Sequence, residues 1–75
     1  SPEPLRDWIR ANLVGEKKER LFDHCLDQVA AALVNEALEL NGGNRSQAAR
    51  LLGISRPTLH AKMEKYHLYP EKTRE

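Results

Sequence analysis

Residues 41–66, NGGNRSQAARLLGISRPTLHAKMEKY, contain two short helical patterns joined by a turn of only a few residues. A connection that short forces the two helices into close, crossed packing. Asn44 is a good N-cap for the first, and Gln47 three residues later has the spacing to reach back and complete a capping box. Ala48, Ala49, Leu51 and Leu52 form the face this helix is expected to bury, the two alanines allowing another helix to approach closely. Gly53 stands where the chain must reverse, and glycine adopts the positive φ such a turn demands at no steric cost. Ile54 fills the corner, Ser55 caps the second helix, and Pro57 lies in its first turn, where a missing N–H costs nothing. Leu59, Met63 and Tyr66 then recur at i, i+4 and i+7, giving one buried stripe. The pattern is that of a helix-turn-helix.

Off that stripe the second helix carries Arg56, Thr58, His60, Lys62 and Lys65, while Pro57 and Ala61 keep its outermost line low. A low line flanked by cationic and hydrogen-bonding side chains suits insertion into a DNA major groove. Glu64 is the exception, because phosphates repel a carboxylate. It is expected either beyond the groove or paired with a nearby lysine. The competing reading is a structural hairpin with an ordinary solvated basic face.

Charge distribution bears on that choice more than the net charge of +1 does. Residues 44–67 hold Arg45, Arg50, Arg56, Lys62 and Lys65 against Glu64 alone, whereas residues 21–43 hold Asp23, Asp27, Glu36 and Glu39 with no lysine or arginine. Such a split directs the basic end toward a polyanion.

The longest helix is expected over residues 20–41, ended by Asn41, Gly42 and Gly43. Phe22, Leu26, Val29, Leu33, Ala37 and Leu40 form one stripe, widened by Leu21, Cys25 and Ala32 on one side and by Ala30, Val34 and Leu38 on the other. His24, Gln28, Asn35 and Glu39 remain as a wet strip. A surface helix needs an apolar face only about 100° wide. The excess must be covered by something that a chain of 75 residues scarcely supplies. At this length folding buries only ~60% of the unfolded surface. A second copy of the same helix in a two-fold dimer is the economical cover, with Phe22, Cys25, Leu26, Val29, Leu33 and Val34 at the interface. The alternative is that the first helix alone covers it.

That first helix is expected within residues 1–14 after a flexible start, with Pro4 at its first position and Leu5, Trp8, Ile9 and Leu13 on one face. Trp8 reads as a packing residue. Residues 1–20 together form a linker and short helix, residues 21–68 the main domain, and residues 69–75 a flexible polar tail. Glu16 to Arg20 make a solvated connection. The Ser1-Pro2 opening, without a methionine, is expected of an excised or processed fragment. No signal peptide and no membrane-spanning apolar run is apparent, and one cysteine allows no disulfide within the chain.

Catalysis finds little support. His24 and Cys25 are adjacent, hence about 100° apart on a helix, and His60 and His67 are two turns apart. No Cys-x-x-Cys or His-Glu-x-x-His spacing and no glycine-rich phosphate loop occurs. No enzyme, metal site or cofactor is expected. Cys25 reads as a small hydrophobe, and His67 as an exposed helix-end residue.

The run GNRSQAARLLGISRPTLHAKMEKY resembles the DNA-binding domain of the Fis type, especially the version that ends NtrC-like activators of sigma-54 RNA polymerase. The likeness covers roughly residues 21–68. It implies an all-α, four-helix domain that dimerises through its first two helices and presents two helix-turn-helix units to a palindromic site. It also implies base contacts at Ser55 and Arg56. The positions matching Thr58, His60 and Lys62 would contact groove edges and phosphates, and those matching Asn44, Ser46 and Gln47 would hold the DNA backbone. The sequence departs at Ala61, where Fis itself carries a lysine, and at Pro57.

From the residues alone, Arg56 is the candidate for bidentate guanine recognition, with His60 as a phosphate or base contact. Asn44, Arg45 and Ser46 are candidates for the phosphate backbone, and Lys62 and Lys65 for salt-sensitive affinity. The function expected is double-stranded DNA binding as a homodimer, as the DNA-binding end of a bacterial sigma-54-dependent response regulator of a two-component system. Contact with sigma-54 RNA polymerase would then pass through upstream domains outside this chain. A Fis-like nucleoid protein and a helical protein-interaction module are the alternatives. The expected location is cytoplasmic and nucleoid-associated.

Overall fold

In the computed structural model, which describes residues 3–16 and 18–69, four helices follow one another: α1 (Glu3–Val14), α2 (Leu21–Leu40), α3 (Arg45–Leu52) and α4 (Arg56–Lys65). The fold is all-α, with no strand among the described residues. The start assigned to a flexible end (Ser1 and Pro2), Lys17 of the charged connection, and the tail from Pro70 lie outside the described residues.

Helix ends α2, α3 and α4 share one device. After α2, the N–H of Gly43 donates to the Leu38 carbonyl (2.8 Å) and that of Gly42 to the Glu39 carbonyl (3.2 Å). After α3, Ile54 and Gly53 do the same to Ala49 (3.0 Å) and Arg50 (3.1 Å). After α4, Leu68 and His67 bond Met63 (2.9 Å) and Glu64 (3.3 Å). This paired 6→1 and 5→2 pattern is the Schellman motif, which requires a left-handed residue just past the helix. Gly42, Gly53 and His67 fill that position with φ of 60°, 75° and 57°. In the last two motifs the following residue, Ile54 or Leu68, packs against the core, so each turn is fixed both by hydrogen bonds and by apolar burial.

The core is made by α2, α3 and α4. Val34, Ala37 and Leu38 of α2 meet Ala48 and Ala49 of α3 and Leu59 and Met63 of α4, with Leu52, Ile54 and Leu68 at its margin. Ala48 and Ala49 are fully covered, so the short α3 approaches its neighbours closely, as the two alanines predict. Leu51, expected on the same buried face, points outward and is 60% exposed. Helix α3 has eight residues, and its inward arc is already filled by Ala48, Ala49 and Leu52.

One interface assignment on α2 is corrected, and the alternative cover by α1 is not found. Val34, assigned to a subunit interface, is 3% exposed within the chain's own core, and Ala37 is buried with it. Leu38 lies four residues beyond Val34, so these side chains share the face turned to α3 and α4. Helix α1, for its part, does not cover the rest of α2: no α1 residue is buried, and Leu5, Ile9 and Leu13 are exposed. Trp8 is only half-buried, its carbonyl accepting the Asn12 side-chain amide at 2.9 Å. Phe22, Leu26, Val29, Leu33 and Leu40 consequently remain open, Phe22 and Leu40 each by 76%. Cys25 is half-buried beside them, with a free thiol.

Candidate nucleic-acid interface

Local chemistry sets the angle of α4. The Ser55 hydroxyl accepts the Thr58 N–H at 3.2 Å and donates to the Thr58 hydroxyl at 2.9 Å. A cap of this kind is worth about 1 kcal/mol. It also spends the hydroxyl's only donor, leaving one acceptor lone pair of that oxygen free for a base. Asn44 caps α3 by accepting the Gln47 N–H at 2.9 Å. The reciprocal half of the expected capping box is absent, because the Asn44 N–H is already taken by the Asn41 carbonyl at 3.0 Å.

Leu59 and Met63 anchor α4 from beneath, and Tyr66, half-buried at its end, completes the stripe. With that side fixed, Arg56, Pro57, Thr58, His60 and Ala61 are all exposed. Arg45, Arg56, Pro57, Leu59 and His60 line a single open concavity where the first turns of α3 and α4 come together. Thus a predicted backbone residue (Arg45) and two predicted base-contact residues (Arg56 and His60) are brought to one place. Ser46 and Lys62 are half-buried, and Gln47 is exposed. Arg56 has no carboxylate partner among the described residues.

Lys65 differs. Its ammonium lies 3.7 Å from the Asp27 carboxylate of α2 and 5.6 Å from the centre of the Tyr66 ring. Tyr66 in turn donates its hydroxyl to Asp27 at 3.4 Å. The structure therefore turns Lys65 toward α2, tying the end of α4 to it, rather than toward the concavity. The Lys65–Asp27 pair is exposed and modest, while the Tyr66–Asp27 hydrogen bond is part-buried.

Tyr69, placed by sequence in the tail, lies on this surface. Its ring stands 5.6 Å from the Arg45 guanidinium and 6.0 Å from the His60 ring, edge to face at 69°. Desolvation by its surroundings raises the Tyr69 pKa above the ordinary phenolic value. The charge of Glu64 and a hydrogen bond to that carboxylate act in the same direction, and Arg45 opposes them. No lysine pairs with Glu64 among the described residues. The only sequence signal for Tyr69 is Leu68, an apolar residue two positions past the helix end, where a Schellman turn needs one.

The family described as "Bacterial regulatory protein, Fis family" matches residues 26–66, more than half of the chain. The chain is also similar to "DNA-binding protein Fis" of Psychromonas ingrahamii (strain DSM 17664 / CCUG 51855 / 37), 37% identical over 70 residues that cover 84% of this chain and 71% of the relative. No solved structure matches. Among the described residues no helix is long and apolar enough to cross a membrane.

Proposed function

The chain belongs to the Fis family of bacterial regulatory proteins, and from that premise we propose that it binds double-stranded DNA as a homodimer. One observation carries the reading: a capped α4, held on Leu59 and Met63, turns Arg56, Thr58 and His60 outward beside Arg45 of α3. On this reading α4 enters a major groove, Arg56 meets a guanine edge, and Asn44, Arg45, Ser46 and Gln47 hold the flanking phosphates. Thr58, His60 and Lys62 contact the groove walls, and Ser55 contributes what its cap leaves free.

The dimer is supported by the open seam of α2. Phe22, Leu26, Val29, Leu33 and Leu40 follow one another at intervals of four, three, four and seven residues. That is the 3.5-residue repeat of a helix that packs along its own copy. Pairing the seams of two chains would fix the spacing and direction of two α4 helices, and hence favour a palindromic site. Cys25 would flank that seam.

As to the finer role, the likeness to a protein named DNA-binding protein Fis runs along 84% of the chain. It favours a Fis-like nucleoid or architectural DNA binder over the DNA-binding end of a sigma-54-dependent response regulator, which the sequence resemblance placed first. Titration of a labelled random duplex at several salt concentrations tests the DNA reading itself. The logarithm of affinity should fall linearly with log salt, by about 0.9 per phosphate contacted. Lack of binding in dilute buffer would leave instead a helical protein-interaction module.

A further inference from the structure

We infer that Tyr69 is a positioning residue of the DNA-facing surface, its ring holding Arg45 of α3 beside His60 of α4 so that the guanidinium meets a phosphate in one fixed place. The inference rests on the DNA-binding reading above. Three features of the fold put the ring there. Residue 67 takes the left-handed conformation and reverses the chain, Leu68 packs against the core, and Tyr69 is thereby returned to the side of α4 that faces α3. The Arg45 guanidinium lies over the ring, 5.6 Å from its centre, and the His60 ring stands in a T-shaped pair with it at 6.0 Å, so a residue beyond the helix-turn-helix bridges its two helices.

The consequence follows from the chemistry of arginine. A long side chain in the first turn of a helix samples many rotamers, and freezing them on contact with DNA opposes binding. An aromatic face that holds the guanidinium beforehand removes part of that cost without neutralising the charge. Tyr69 does not shut the surface: Arg56 and His60 stay exposed with it in place. A positioning role fits that openness, and a blocking role does not.

The test is a double-mutant cycle read by fluorescence anisotropy on a random duplex across a salt series, with thermal melts of each variant. Tyr69 lies outside the buried core, so Tyr69→Ala should fold. Its affinity should fall roughly 2- to 5-fold, the worth of an exposed cation–π contact. Its salt slope should drop by about one phosphate. Arg45→Ala should show the same drop in slope, and the double variant should lose no more than Arg45→Ala alone. Tyr69→Phe keeps the ring and should keep the slope. A simple loss of packing would lower the melting temperature and leave the slope unchanged. Additive effects, an unchanged slope, or tighter binding by Tyr69→Ala would overturn the assignment. A wild-type chain that binds no duplex at any salt would sink the DNA reading and this role with it, a pattern distinct from a wild type that binds and a Tyr69 variant that does not differ.

Discussion

Arg56 is the residue on which sequence preference should turn. It opens α4, is exposed, lines the concavity and pairs with no carboxylate among the described residues, so its guanidinium is available as a bidentate donor. Arg56→Ala should cost about 1–3 kcal/mol on a preferred site, relax the preference at one position of each half-site, and leave the melting temperature nearly unchanged. Site selection from a random oligonucleotide pool, followed by binding assays on selected and random duplexes, measures this. Equal weakening on both duplexes would reduce Arg56 to a phosphate contact. Ser55 is a different case, since its hydroxyl is engaged twice in capping α4. Its contribution to the site is first of all the direction in which the helix starts.

At the scale of elements, the three Schellman turns are alike in hydrogen bonding and unlike in residue. Gly42 and Gly53 take a positive φ without strain, whereas His67 takes it with a Cβ that meets the neighbouring carbonyl. His67→Gly should therefore stabilise the fold by about 1 kcal/mol, against the usual loss from adding chain entropy to the unfolded state. In a domain this small that raises the melting temperature by about 4–8 °C. A calorimetric scan showing no rise would mean that the imidazole makes up for the strain. The turn matters beyond its own energy, because it brings Leu68 onto the core and Tyr69 onto the surface of α3 and α4.

For the whole molecule, the deciding fact is that α2 has two apolar sides and the described residues fill only one. Val34, Ala37 and Leu38 serve the core, while Phe22, Leu26, Val29 and Leu33 stay in water with α1 leaving them open. Replacing Leu26 and Leu33 together by glutamate places two charges on that seam and none in the core. The variant should sediment as a folded monomer at micromolar concentration and bind a palindromic duplex far more weakly than the wild-type chain. A variant that still sediments as a dimer would move the proposed interface elsewhere, and unfolding of both forms on dilution would show that the three-helix core cannot stand without a second copy.

What sequence alone determined here is short in range: the capped starts at Asn44 and Ser55, the ends at Gly42 and Gly53, the limits of α2, α3 and α4 within a residue or so, and an exposed cationic edge. Caps, turns and 3.6-residue stripes are settled by neighbours a few positions apart, so they can be read along the chain. Only the tertiary structure decided which half of the wide stripe on α2 becomes core, that Leu51 turns outward, that Lys65 reaches for Asp27, and that Tyr69 folds back on Arg45 and His60. Each of those outcomes depends on which distant surface packs against a side chain able to face either way, and periodicity marks a residue as apolar or charged without naming its partner.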